Sequence, residues 1–395
     1  RPEPDPRAPL ADLLGGDASE LAEQFRVIVN RRSFAATDGN AWFDAAIDFG
    51  EITVDGRFVA FCEVELELKS GEPAALFRLA RRIGTQAPAR IGVLSKAERG
   101  YRLLGPILAA EKAEKLRLDP CMSVVDGFAA VVHACLKQYR LNETIALERC
   151  CPAAVHQARV AVRRLRTALS VFRPLLRCDG MSRELNTRLR DLAREFGKVR
   201  DLDILIAHPT SAPVRSRLRT ARDPAYEELT AVLAGPEARG LPLAIVEWVQ
   251  TGSWRSDPVA EAQRRVPLPE FAAAALDRAW RKVRKDGRHL AVLPTAERHQ
   301  LRKDVKRLRY AAEFFERLFP IGKRQRRHKT FARALGKLQD ALGALNDIAV
   351  AEHVRQELGL VGDLSALPEP SDPAGQLARA AKARRKLLKT KKFWR

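Results

Sequence analysis

The sequence predicts an α+β chain in which a small antiparallel β region precedes a large all-helical region built from a duplicated unit. Three observations carry this expectation. The stretch Val155–Leu176, VHQARVAVRRLRTALSVFRPLL, recurs in outline as Arg298–Phe319, RHQLRKDVKRLRYAAEFFERLF, and a repeat of this kind has to be recognised before any fold is assigned. From Pro120 onward the apolar positions follow helical spacing only. In Phe61–Lys69, by contrast, Glu63, Glu65, Glu67 and Lys69 fall on one side of an extended chain and Val64, Leu66 and Leu68 on the other, the period of a half-buried strand.

Taken in chain order, Arg1–Pro9 is rich in proline and charge and reads as disordered. Gln24–Phe34 and Trp42–Phe49 have the β-branched and aromatic content of strands. Ile52–Val54 and Arg57–Lys69 read as a hairpin around Asp55-Gly56, a strong turn signal. Pro73–Ile83 reads as a helix and Ser95–Tyr101, SKAERGY, as a loop or short turn. Three carboxylates on one strand face need compensation. They suit a solvated outer face, or a polar barrel interior holding a divalent metal for phosphate chemistry.

The segments FRVIVNRRSF, EVELELKSG and SKAERGY resemble the C-terminal part of the CYTH domain, the triphosphate tunnel fold, over about Leu21–Leu104. Members include inorganic triphosphatases, so the resemblance implies a partial, tunnel-like antiparallel β-barrel within residues 1–115. It makes Arg31, Lys69, Lys96 and Arg99 phosphate-binding candidates, with Glu67 on the acidic strand and Glu63 and Glu65 as the metal-facing pair. Mg²⁺ or Mn²⁺ is implied only for an active tunnel. The family opens with an E-x-E-x-K strand that supplies its first metal-binding carboxylates, and Arg1–Glu20 contains none. Either the chain, which starts at Arg1 without a Met, lacks an upstream segment, or the domain is degenerate. In both cases the half present is expected to hydrolyse triphosphate poorly or not at all.

In the helical region, Cys121–Arg140 reads as an amphipathic helix after Pro120. Pro152 suits the first turn of the helix that carries His156. On a wheel of 100° per residue, His156, Arg159, Arg163, Arg166, Ser170 and Arg173 share one quadrant. Val162, Leu165, Leu169, Phe172 and Leu176 form a separate stripe that needs a core. A shift of 143 places His156 on His299, Arg159 on Arg302, Arg163 on Lys306, Arg164 on Arg307, Leu165 on Leu308, Arg166 on Arg309 and Phe172 on Phe315. After three inserted residues, Leu192–Asp201 lies over Leu338–Asp347, with Gly197 on Gly343 and Asp201 on Asp347. The duplication implies two helical hairpins whose polar stripes face a shared surface, with their apolar stripes packed outward or against neighbours. Arg183–Val199 reads as the second helix of the first pair, and Ala207–Pro213 as a Pro/Ser connection. Ala225–Leu233 and Leu243–Val249 read as helices, with Trp248 in the core, and Thr251–Pro269 as the linker between repeats. Phe271–Val283, Glu297–Leu318, His328–Gln356 and Ala374–Lys389 follow as helices, with Leu360–Pro373 as a loop.

The duplicated H-x-x-R-x-x-(x)-R/K-R-L-R pattern, each copy followed by a helix ending in R/N-D, resembles the CHAD domain, the conserved histidine α-helical domain, over about Pro120–Arg395. The resemblance implies two four-helix units, about 120–250 and 270–395, around a basic central channel that binds inorganic polyphosphate. On it the first copy offers His156, Arg159, Arg163, Arg164, Arg166, Lys198 and Arg200 as ligands. The second offers His299, Arg302, Lys303, Lys306, Arg307, Arg309, Arg333 and Lys337. Lys323, Arg324, Arg326, Arg327 and Lys329 crowd what reads as an aperiodic loop, and the first four are taken as a channel mouth. Asp201 and Asp347, set among cations, are expected to orient Arg and Lys side chains across the repeat.

Charge points the same way. Residues 1–120 carry a net −2 and the remainder +23, out of +21 for the chain. Such a domain expects a polyanion: polyphosphate, nucleic acid or an anionic membrane surface. Its basic faces hold almost no aromatics for base stacking, so nucleic acid is expected to bind weakly and with strong salt dependence. No run of about 18 apolar residues exists, so no membrane span is expected. The six cysteines form no C-x-x-C pair and read as reduced, buried thiols of a cytosolic protein. The expected function is polyphosphate binding without a cofactor, at polyphosphate granules in the cytoplasm. An inorganic triphosphatase fed by the helical half is the alternative.

Overall fold

The computed structural model describes residues 22–207, 211–319, 322–357 and 373–395. The chain divides into two compact units. One runs to Gln86 and includes Ile91–Leu108; the other comprises Ala87–Arg90 and Ala109–Arg395. The stretch Arg1–Pro9, and Leu360–Pro373 up to residue 372, lie outside the described residues.

The first unit is a three-stranded antiparallel sheet in the order β1 (Arg26–Asp38), β2 (Ala41–Val54), β3 (Arg57–Ser70), with helices α1 (Pro73–Gln86) and α2 (Lys96–Leu104). The turn joining β2 to β3 places Asp55 at φ 44° and Gly56 at φ 76°. Two positive φ values in a row are what a two-residue hairpin matched to strand twist requires. The described strands do not close a barrel: β1 and β3 each have one neighbour. Ser95–Tyr101, expected as a loop, instead opens α2. Ser95 Oγ accepts from the Glu98 amide at 3.1 Å and the Glu98 carboxylate accepts from the Ser95 amide at 2.9 Å. That S-x-x-E capping box was present in the sequence.

The second unit is helical. The first half contains α3 (Val124–Arg149), α4 (Pro152–Val171), α5 (Gly180–Ala207), α6 (Ala212–Ala234) and α7 (Pro236–Thr251). After short 3₁₀ turns and a one-turn helix α8 (Glu261–Arg264) come α9 (Leu268–Asp286), α10 (Thr295–Phe314), α11 (Lys323–Glu357) and α12 (Pro373–Leu388). Ala212 and Pro213, expected in a connection, begin α6, where proline fits because a first-turn N–H has no helical partner. Lys323–Lys329, expected as a loop, forms the first turns of α11. Among the described residues no single helix is long and apolar enough to cross a membrane. All six cysteines are free, but only Cys135 is buried; Cys62, Cys121, Cys150 and Cys178 are exposed, which corrects the expectation of buried thiols.

The apolar stripes of the two repeats meet in one core rather than packing outward. Val162, Leu165 and Phe172 on the α4 side, and Val305, Leu308 and Phe315 on the α10 side, are all buried in it. Helix α4 lies against α10, and α5 against α11. Phe172 and Phe315, which are repeat equivalents, touch each other with ring centroids 5.9 Å apart, and Phe172 also stacks on Phe271 at 5.0 Å. These two rings join the two copies of the histidine-led helix within the shared core.

A second aromatic cluster closes the C-terminal end. Phe393, wholly buried, packs on Phe319, His328, Phe331 and Trp394 with centroids 4.7–5.8 Å away. Asp277 holds this tail in place by accepting from Lys392 Nζ at 2.7 Å, Trp394 Nε1 at 3.0 Å and the Arg395 guanidinium. The Phe393→Ala variant is expected to lose about 3–5 kcal/mol of unfolding free energy, the usual cost of emptying a buried aromatic site. Urea unfolding followed by circular dichroism measures this, and a loss under about 1 kcal/mol would show that the tail is not part of the core.

Candidate functional site

The site begins with what packing does to the polar stripes. Because the apolar stripes of α4 and α10 share one core, the basic stripes are brought together beside it. Arg159 and Arg163 of α4, Arg200 of α5, and Arg302 and Lys306 of α10 lie close enough to perturb one another's ionisation. Lys306 shows this most plainly. Burial, then Arg163, Arg302 and Arg159, push its ammonium down to about 6, and Asp347 offsets only part of that. Burial, then Arg200, Arg159, Arg163 and Lys306, push the His156 imidazole down to about 4, so it is neutral near pH 7. The two repeats therefore act on each other's charges, since Arg163 is the leading charge on both Lys306 and Arg302.

Hydrogen bonding is incomplete in this group. Arg159 Nη1, Arg200 Nε and Arg302 Nε are shielded from solvent and have no hydrogen-bond partner among the described residues. Arg159 Nη1 approaches the α5 backbone so closely that a Cβ on Gly197 would lie 3.0 Å from it; at the equivalent Gly343 no atom lies within 4 Å. Glycine at 197 thus lets one guanidinium press against a neighbouring helix. Buried donors of this kind are costly unless an acceptor reaches them.

Two aspartates moderate the charge. Asp201 has its carboxyl pushed up by burial, and its repeat equivalent Asp347 pushes the same way, while Arg159, Arg302 and Arg200 pull it down. Asp347 lies 4.0 Å from Arg302 Nη2. On the second copy His299 Nδ1 lies 3.0 Å from Asn346 Oδ1, an arrangement in which Nδ1 donates and Nε2 carries the lone pair. Burial also lowers the His299 pKa. Asn346 stands where the first copy has Arg200, in the R/N-D motif, and sequence reasoning noted the motif without assigning the asparagine a part.

The other sequence candidates have partners or settings of their own, with Lys303 still near enough to act on His299 and Arg163 near enough to act on Arg166. Arg164 is buried: Nη1 donates to Gln138 Oε1 at 3.2 Å and the guanidinium sits over the Phe314 ring at 5.5 Å. It ties α3, α4 and α10 together and does not reach the shared face, because it lies one residue round the helix from Arg163. Its repeat equivalent Arg307 pairs with the buried Asp304 at 2.9 Å. Arg166 donates to Asn186 at 3.2 Å and Arg309 pairs with Glu313 at 2.9 Å. Lys198 is held by Glu195 at 2.7 Å and Glu228 at 3.5 Å. Lys303, Arg333 and Lys337 are exposed. Lys323, Arg324 and Arg326 are exposed on the first turns of α11, and Arg327 donates to the Arg395 carbonyl at 3.2 Å.

In the sheet unit, register sets Arg31 opposite Asp48 and Asp48 opposite Glu63. Asp48, wholly buried, accepts from Arg31 at 2.6 and 2.7 Å and pairs with Lys96 at 2.8 Å. Glu65 accepts from Arg31 at 2.5 Å and Lys96 at 2.7 Å; Glu63 pairs with Arg99 at 2.6 Å and with Lys96. Arg31 first and Lys96 second hold the Asp48 carboxyl far below its usual range. Burial disfavours the Lys96 ammonium, but its bonds to Asp48, Glu63 and Glu65 outweigh that and raise it. Lys69 and Glu67 pair with each other at 2.8 Å, apart from this group, and Lys69 also reaches Asp44 at 3.1 Å. The carboxylate oxygens of Asp48, Glu63 and Glu65 lie within 4.8 Å of one another, a spacing a hard dication could use. In this arrangement those oxygens pair with Arg31, Lys96 and Arg99, cations that a bound dication would have to displace. Asp48, the centre of the lattice, went unnoticed in the sequence because only strand register reveals what lies opposite it.

The central group predicts an unusual stability response. The Arg163→Gln variant, which removes the leading charge from Lys306 and Arg302 while keeping much of the stem, is expected to be more stable than the wild type by about 0.5–1 kcal/mol at low salt, the scale of exposed charge pairs. The gain should fade near 1 M salt, where the Debye length is about 3 Å. Thermal unfolding at two ionic strengths measures it, and a destabilised variant at low salt would show that the packing of the Arg163 side chain outweighs the repulsion it causes.

The comparisons with known proteins agree with this architecture. In the crystal structure of the CHAD domain from the plant Ricinus communis, a chain 24% identical to this one superposes with a TM-score of 0.59, covering 71% of this chain and 97% of that one. At that identity the likeness concerns the fold. The family model of the CHAD domain matches residues 130–356, more than half of the sequence and spanning both copies of the histidine-led helix. The chain belongs to the CHAD domain family.

Proposed function

We propose that the helical unit binds inorganic polyphosphate along the face where α4 and α10 bring their basic stripes together, and that this binding places the protein at polyphosphate granules. The observation that carries the reading is the state of Lys306. A lysine driven down to about 6 by burial and three arginines marks a group of cations held together against their own repulsion. A linear polyanion relieves that repulsion and reaches both repeats at once. Arginine offers phosphate a bidentate fork and lysine a point charge, and neither reads sequence, which suits a featureless repeating chain. The resemblance of the sequence to a polyphosphate-binding family supports the same conclusion.

The shared face predicts that both copies contribute to one site. The pair Arg159→Gln with Arg163→Gln should weaken long-chain polyphosphate about as much as Arg302→Gln with Lys306→Gln. Each should reduce the magnitude of the log–log salt slope by up to about 1.4, at roughly 0.7 per phosphate contact by analogy with single strands. Calorimetric titrations across a salt series read both quantities. If one pair keeps wild-type affinity and slope, the polymer does not span the two copies.

Proton linkage gives an independent check. Lys306 is largely neutral above about pH 6 in the free chain, and a bound phosphate favours its charged form and raises its pKa. The complex then holds more protons than the free protein, so affinity falls as pH rises above about 6 and levels off below it. Titrations at pH 7.5 in buffers of different ionisation heat should show proton uptake that is absent in Lys306→Gln. Equal affinity from pH 6 to 9, with no uptake, would overturn this assignment.

A further inference from the structure

The C-terminal end of the helical unit contains a cleft that the central face does not use. It has a volume of about 430 Å³ and is lined by Trp280, Arg284, Arg288, Arg384, Thr390 and Lys392, among others. These residues come from α9, the turn after it, α12 and the tail, none of which carries the central cations. Among the described residues, the lining holds four cationic side chains and no carboxylate. Lys392 is already spoken for, because its Nζ is bound to Asp277 at 2.7 Å. Arg384 is fixed in place: Nη2 donates to the Arg284 carbonyl at 3.1 Å, while its Nε is shielded and has no hydrogen-bond partner. A Cβ at Gly287 would lie 2.7 Å from that Nε, so glycine there makes the room in which Arg384 sits. Burial and the nearby Arg288 both disfavour the charged form of Arg384. Arg284 and Arg288 are exposed at the cleft.

The geometry points to a second anion site, specific for a compact, multiply charged phosphate. The cleft has the volume of a small-molecule site, too small for a folded or duplex polymer. Its free charge is carried by guanidinium groups, whose forks match phosphate oxygens in pairs. Trp280 is 5% exposed, so it walls the cleft and has no open face on which a base could stack. An inorganic oligophosphate and an inositol polyphosphate share the required chemistry. This site is independent of the central face and would bind even if that face did not.

The test uses the full chain and two probes, inorganic tripolyphosphate and inositol hexakisphosphate, titrated separately by calorimetry. The background is Arg159→Gln, Arg163→Gln, Arg302→Gln and Lys306→Gln together, which removes four of the central cations from the two copies. One equivalent of at least one probe should still bind. Adding Arg284→Ala and Arg288→Ala should weaken that residual binding at least tenfold, and the probe that is lost names the ligand. The same Arg284→Ala, Arg288→Ala pair in the wild-type background should leave long-chain polyphosphate affinity within about twofold. Both arginines are exposed, and unchanged circular dichroism and melting exclude unfolding as the cause. The proposal is overturned if neither probe binds the central-face variant, or if the residual binding is indifferent to Arg284 and Arg288. Failure of the central reading is seen separately, as absent long-chain binding by the wild type.

Discussion

The structure depends on one forced juxtaposition: two basic helix faces are held together because the apolar faces beside them share a core. Phe172 and Phe315 touch in this core, with Val162, Leu165, Val305 and Leu308 buried in the same core. Removing these side chains from water is worth on the order of 1.5–3 kcal/mol each, and that burial opposes the Coulomb repulsion among Arg159, Arg163, Arg302 and Lys306. The repulsion is not relieved in the free protein. It is visible in the depressed Lys306 and His156, which release protons where ordinary lysine and histidine would hold them.

The sheet unit solves the opposite problem. Three carboxylates and three cations are interleaved by strand register and by the capped helix α2, and the result is neutral. The buried Asp48 is tolerable only because Arg31 and Lys96 both bond to it; a buried ion pair that loses one partner leaves an uncompensated charge. The two units thus use the same residue types to different ends. In the sheet unit charge is matched internally, whereas on α4 and α10 cations outnumber the two aspartates that moderate them.

Packing also divided the cations that the family resemblance had grouped. Arg163 and Arg164 are adjacent, yet one faces the shared surface and the other is buried against Gln138 and Phe314. Arg166, Arg309 and Lys198 each found a local partner in Asn186, Glu313 and Glu195. The candidate site is therefore narrower than the stripe, centred on cations that Asp201 and Asp347 only partly offset.

By itself the sequence determined the duplicated histidine-led helix, the apolar stripe that fixes which side of each helix is buried, the Asp55-Gly56 hairpin and the strand alternation of Glu63, Glu65 and Glu67. These are local, set by periods of 3.6 and 2 and by turn chemistry acting over a few residues. The capping box of Ser95 and Glu98 was equally local and was there to be read. Tertiary structure alone decided that Phe172 meets Phe315, that Asp48 lies between Arg31 and Glu63, that Arg164 turns into the core, and that Phe393 and Trp394 close the far end of the helical unit. Each of these joins residues far apart in the chain, and a helical or strand period says which face a residue occupies without saying what will be packed against it.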